Sequence, residues 1–280
     1  MDRRLTALVV AILVATGCGG NAARPTSSQS SGPHPSPSSD RLVHFAGRSL
    51  YLECHGSGSP TAVLEAGLGG DHQTWRRVLR ALPQTVRVCA YDRANIPPSS
   101  APTPGTAMDV AVDLHGLLNA SGEKPPYVLV GFSFGGLTTQ LYAASYPQDI
   151  AGLVLVESNH PEEVRQFEAH LTPDQIAEDR AQSAQNPEEI DLYKSFDQVR
   201  AAPALPHVPL VVVSSGRPGD WPPGWDPKLF DRLRAQQQAD LAHRVPGGTQ
   251  LIAGRSDHAV PQKQPETVVQ AIQAVLARIR

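Results

Sequence analysis

After residue 40 the chain is built of short apolar runs set between turn-forming stretches and longer segments of mixed polarity. Thr61–Glu65, Val86–Tyr91, Tyr127–Val130, Gly152–Val156, Leu210–Val213 and Thr249–Ala253 have the length and apolar character expected of buried strands. Leu42–Phe45 and Ser49–Cys54 lie on either side of a turn at Gly47 and predict an antiparallel hairpin. The mixed segments predict helices: one carrying Trp75, Val78 and Leu79, one over Ala107–Leu118 with Thr106 and Asp109 placed to cap it, one over Gly136–Ala144, and a closing helix over Pro265–Ile279. Strands alternating with helices predict the α/β class, with a mostly parallel sheet covered on both faces. About fifty residues separate the strand ending at Val156 from the one starting at Leu210, too many for an ordinary connection. They contain charged, helix-like stretches at Pro161–Leu171, Pro173–Gln185 and Pro187–Ala201, and predict a lid over about 160–205.

The N-terminal forty residues read differently. Leu5–Thr16 is uncharged and mostly apolar, follows Arg3 and Arg4, and is too short to span a bilayer comfortably, as in a signal peptide. Ala15-Thr16-Gly17-Cys18 resembles the lipobox of bacterial lipoproteins, which implies cleavage before Cys18 and its acylation as a membrane anchor. An ordinary cleaved signal or an uncleaved anchor is the alternative. Residues 19–40, rich in Ser, Pro and Gly, bury too little surface to offset their conformational entropy and are expected to be a disordered tether. The expected location is extracytoplasmic, as a cell-membrane lipoprotein or a secreted protein.

At 280 residues the chain can hold one large α/β domain or two small ones, and residues 41–280 are read as one. A net charge of −3 with no basic stripe argues against a nucleic-acid partner, and no zinc-type Cys/His cluster or phosphate-cradling loop is present.

Gly131-Phe132-Ser133-Phe134-Gly135 sits between a strand and a helix. A serine between two glycines at such a turn is a nucleophile elbow: the turn strains the central residue and lifts its hydroxyl above the strand ends. Side chains at the glycine positions would strike the neighbouring strand and helix.

The order of elements from about residue 41 onward resembles the α/β-hydrolase fold, here an eight-stranded, mostly parallel sheet. Four stretches are similar to one bacterial branch of that superfamily: Val63–Gly69, Val88–Arg93, Val128–Gly136 and Leu153–Pro161. The resemblance implies an activity on esters, lactones or amides through a Ser-His-acid triad. A serine hydroxyl needs a base, and the base needs a carboxylate to fix its tautomer. In this fold acid and histidine follow the serine in that order. His258, in the loop after the last strand, stands where the family keeps its base. For the acid, Glu157 at the end of the strand after the elbow helix is preferred, and Asp220 after the next strand is the alternative. Asp257 is expected to face solvent or brace its loop.

The oxyanion donors implied are the backbone N–H groups of Phe134 and Leu68. Many relatives have His-Gly at the latter turn, where this chain has Ala66-Gly67. Glu65 is expected to be a buried structural acid, and Asp92-Arg93 a structural ion pair, with a substrate carboxylate contact as the alternative. Phe132 and Phe134 are read either as an acyl-pocket wall or as core, and Trp221 and Trp225 as candidate site wall. The fold places its second strand beside the fourth, which would make Cys54 and Cys89 neighbours and, outside the cytoplasm, a disulfide, with two free buried thiols as the alternative. The activity so implied is a serine hydrolase acting on a small-molecule carboxylic ester or related acyl compound, with no cofactor or metal, because water resolves the acyl-enzyme. The alternatives are an acyltransferase or perhydrolase on the same site, or a lipid-anchored binding protein without activity.

Overall fold

A computed structural model describes residues 39–102 and 105–279. The proposed signal peptide, Cys18 and most of the tether lie outside the described residues. In chain order the strands and helices are β1 (Ser39–Phe45), β2 (Arg48–His55), β3 (Thr61–Glu65), α1 (Arg76–Ala81), β4 (Val88–Tyr91), α2 (Ala107–Ser121), β5 (Tyr127–Phe132), α3 (Phe134–Ser145), β6 (Ile150–Val156), α4 (Glu163–Glu168), α5 (Pro173–Ser183), α6 (Leu192–Ala201), β7 (Leu210–Ser215), α7 (Pro227–His243), β8 (Thr249–Ala253), α8 (Val260–Lys263) and α9 (Pro265–Leu276).

The eight strands form one sheet in the order β1-β2-β4-β3-β5-β6-β7-β8. β1 and β2 form the expected hairpin, and β2 also pairs antiparallel with β4; the other neighbours are parallel. The pairing starts at Ser39 opposite Cys54, two residues inside the segment expected to be tether.

Alternate residues of each strand face opposite sides of the sheet, so two cores form. Val63, Leu129, Leu153 and Leu155 pack with Leu114, Leu117 and Leu118 of α2, Tyr142 of α3 and Leu241 of α7. Ala62, Leu64, Val128, Val130 and Val154 pack with Val78 of α1 and with Val268, Ile272 and Val275 of α9. A third cluster joins the lid to the body, with Phe196 and Val199 of α6 against Val110 of α2 and Leu137 and Leu141 of α3.

The helix starts follow their side chains. Thr106 accepts from the Asp109 N–H at the start of α2, and Thr172 forms a reciprocal cap with Gln175 on α5. Three lid helices lie in the long insertion, the third beginning at Leu192 behind its Asp191 cap rather than at Pro187. The apolar pattern places nothing helical between Val213 and Thr249, where the seventeen-residue α7 forms. Its start is legible in retrospect, because Asp226 caps the N–H groups of Lys228 and Leu229 and Pro227 occupies the first turn. Among the described residues no helix is long and apolar enough to cross a membrane.

Cys54 and Cys89 stand directly opposite each other on β2 and β4, with Cα atoms 4.1 Å apart, and are joined by a disulfide.

Candidate active site

Ser133 lies between β5 and α3 with φ 56° and ψ −122°, a left-handed conformation that a side-chain-bearing residue adopts only under constraint. Its N–H donates to Val156 O at 3.0 Å, while its carbonyl accepts from Gly136 and Asn159 at 2.9 and 3.2 Å. Both flanking glycines are required by space. A Cβ on Gly131 would stand 2.4 Å from Gly135 O, and one on Gly135 would stand 2.4 Å from the carbonyl oxygens of Glu65 and Ala66. The elbow helix therefore begins against the end of β3, which brings the Phe134 backbone beside the turn that carries Leu68.

Glu157, the first residue after β6, is also left-handed, with φ 43°. Its carboxylate is 1% exposed. Oε1 accepts from the Ser215 N–H at 2.7 Å, and Oε2 lies 3.2 Å from His258 Nδ1 and 3.8 Å from Arg234 Nη1. Burial pushes this carboxyl up. The His258 hydrogen bond and charge, the Arg234 charge and the Ser215 N–H outweigh burial and hold it below the usual glutamate range. A carboxylate only accepts, so His258 Nδ1 carries a proton and Nε2 keeps its lone pair in the neutral ring. The His258 ring packs on Phe132, the residue preceding Ser133, with centroids 4.9 Å apart. The imidazole thus packs on the residue before Ser133, with its Nδ1 held by Glu157.

Asp220 takes no part in that contact. It lines the cleft above the serine, next to Trp221. Asp257 braces the histidine loop, accepting from the Ala259 N–H and pairing with Lys263.

The cleft has a volume of about 370 Å³ and is lined by Ser133 together with Leu68 and Phe134, so the nucleophile candidate and both oxyanion candidates share one space. Its walls come from the lid (Val164, Phe167, Tyr193, Phe196) and from the stretch after β7 (Trp221, Trp225). Trp221 and Trp225 stack with an interplanar angle of 13°, and Phe167 meets both edge-on. Of the two aromatic residues flanking the serine, Phe134 lines the cleft, and Phe132 packs in the core against Trp75 and under His258.

Residues not singled out in the sequence also converge here. Arg234 of α7 lies 4.4 Å over the Trp221 ring and beside Glu157. Glu163 borders the cleft and accepts from Asn159 Nδ2 at 2.7 Å; burial raises its pKa against the nearby Arg234 charge. Arg234 belongs to the helix the apolar pattern omits, and the Asp226-Pro227 cap at that helix's start is the signal that leads to it.

The expected Asp92–Arg93 ion pair does not form. Asp92 turns to His72, 2.8 Å from its Nδ1, while Arg93 turns to Glu65 and Glu188. Adjacent residues after a strand point to opposite sides, so each finds a separate partner. Glu65 is the buried acid expected, accepting from Tyr91 Oη at 2.8 Å. Among the described residues, one group of side chains lies close enough to hold a metal ion: Cys54, Cys89 and Glu123. The disulfide removes both sulfurs as ligands.

A family model described as the alpha/beta hydrolase fold matches residues 60–277. The uncharacterized protein YqjL of Bacillus subtilis is 36% identical over 103 residues, a match covering 36% of this chain and 41% of YqjL. RutD of Escherichia coli O26:H11, by its name a candidate carbamate hydrolase, is 27% identical over 214 residues, covering 72% of this chain and 76% of RutD. The chain spans less than half the length of the first curated relatives it matches. Among solved structures, a thermophilic esterase from Thermogutta terrifontis superposes with a TM-score of 0.59 at 21% identity, covering 87% of this chain and 99% of the esterase.

Proposed function

The chain belongs to the alpha/beta hydrolase fold family, and on that footing we propose that it is a serine hydrolase cleaving a small carboxylic ester or related acyl compound through a Ser133-His258-Glu157 triad. The observation that carries this reading is the Glu157–His258 contact at 3.2 Å, beside a strained serine that opens into the same cleft as Leu68 and Phe134.

Ser133 Oγ attacks the substrate carbonyl as its proton passes to His258 Nε2. Glu157 holds the ring in the tautomer that can accept this proton and stabilises the imidazolium that results. Negative charge on the carbonyl oxygen is met by the N–H groups of Phe134 and Leu68. The imidazolium then protonates the leaving alcohol, and a water deprotonated by the same histidine releases the acid. The aromatic cleft suits an apolar acyl or aryl group.

Labelling of Ser133 by a fluorophosphonate tests the assignment. Ser133→Ala abolishes both the label and p-nitrophenyl ester turnover, whereas undiminished turnover in that variant refutes it.

The buried disulfide supports an oxidising compartment, in keeping with export through residues 1–18 and lipid attachment at Cys18. Metabolic labelling with palmitate, lost in Cys18→Ser, tests the anchor.

A further inference from the structure

Arg93 is 3% exposed and lies beneath the turn that follows β3. Nη1 donates to Ala66 O at 2.6 Å and to Glu65 Oε1 at 3.2 Å. Nη2 donates to Gly67 O at 2.7 Å and to Glu188 Oε1 at 2.6 Å, and Nε to Glu188 Oε2 at 2.7 Å. Glu188 comes from the lid, between α5 and α6, and is fully buried. Its Oε1 also accepts the Gly69 N–H at 2.6 Å. Its neighbour Pro187 lies against Gly69, where a Cβ would meet Pro187 Cγ at 3.0 Å. Lid and turn are therefore joined at two successive residues.

The consequence falls on Leu68. Gly67 C=O and Leu68 N–H are two ends of one planar peptide unit, pointing in opposite directions. Gly67 O is held by Arg93 Nη2 and by the Gly70 N–H at 2.9 Å, so the heading of the Leu68 N–H is set from its far end. A cation on the carbonyl oxygen also polarises the unit and strengthens the N–H as a donor. We infer that Arg93, locked by Glu188 of the lid, is a positioning residue that aims and polarises the Leu68 N–H at the substrate oxyanion. This rests on the serine-hydrolase reading above. Arg93 itself touches no substrate, because its fork is fully engaged by two carboxylates and two carbonyls. Lysine keeps the charge but has no planar fork to bridge those four acceptors.

The test compares the full-length wild type with Arg93→Lys, Glu188→Gln and Ser133→Ala. Active sites are first counted by fluorophosphonate titration, so that misfolded protein does not enter the rates. Loss of one oxyanion donor costs about 100- to 1000-fold in kcat, and a misaimed donor less, so Arg93→Lys is expected to lower kcat per titrated site about 10- to 100-fold with KM within about twofold. The affinity of an alkyl boronic acid, which forms a tetrahedral adduct on the serine, falls by the same factor. The affinity of a p-nitrophenyl alkyl ether, a ground-state analogue, stays unchanged. Glu188→Gln gives the same pattern with a smaller loss, and decides alone if Arg93→Lys does not fold. A purely structural role lowers the number of titrated sites and leaves kcat per site and boronate affinity at the wild-type level; that result overturns the inference. So does an equal loss of affinity for boronate and ether. A wild type that is not titrated and is no more active than Ser133→Ala overturns the serine-hydrolase reading, and this inference with it.

Discussion

Glu157 Oε2 and His258 Nδ1 lie 3.2 Å apart across 101 residues of sequence, whereas Asp220, the other candidate acid, faces the cleft from the loop after β7. On the proposed reading, the acid therefore stands after β6 rather than after β7. Glu157→Gln keeps the shape but lets the amide favour the wrong tautomer of the ring, and is expected to lower kcat about 100- to 10,000-fold. Asp220→Asn is expected to change it less than about tenfold. Steady-state ester hydrolysis by the two variants decides, and the reverse ranking would move the acid to Asp220.

The close approach at Gly135 predicts a linked loss of stability and rate. Gly135→Ala forces a methyl against the Glu65 and Ala66 carbonyls, and overpacking of this kind costs about 1–3 kcal/mol. Because those carbonyls lead into the Leu68 turn, kcat falls as well. Urea unfolding and ester turnover of the variant check both, and wild-type values in either would show that the turn yields without consequence.

Asp113 gives the pH dependence. Burial raises its pKa to about 6 against the opposing charge of Arg48, whose Nε lies 2.8 Å away. A carboxyl whose folded-state value is raised binds its proton first in the folded protein, so its contribution to stability grows as pH falls from about 6 towards the ordinary value of 3.8. Between pH 7 and pH 5 the stability of the wild type relative to Asp113→Asn is expected to rise by about 1 kcal/mol. Urea midpoints of both proteins at the two pH values measure this, and a falling difference contradicts the assigned sign.

Trp221 carries the apolar wall on which Phe167, Trp225 and Arg234 rest. Trp221→Ala is expected to lower kcat/KM for p-nitrophenyl hexanoate about tenfold relative to the acetate, because only the longer chain reaches the missing surface. Equal losses on both esters would place the acyl group elsewhere.

Much of this protein could be read along the chain. The apolar runs and the hairpin pattern marked all eight strands, Thr61–Glu65 and Thr249–Ala253 to the residue and the others within three residues at either end, and the two glycines around Ser133 were legible because only a tight strand-to-helix turn needs both. Helix α7 escaped because its buried residues include Gln237 and Gln238, so a polar-looking sequence conceals a packed face. With α7 went Arg234, and with it part of the electrostatics around Glu157.

The sequence by itself determined the succession of strands, the sheet class and the candidate serine and histidine, since these depend on local periodicity and on spacing along one chain. Only the tertiary structure decided which carboxylate reaches the imidazole, that Asp92 and Arg93 part company, and that a lid glutamate locks the turn beneath Leu68. Those outcomes depend on distances between residues dozens of positions apart, which are set by how strands and helices pack and have no counterpart in local pattern.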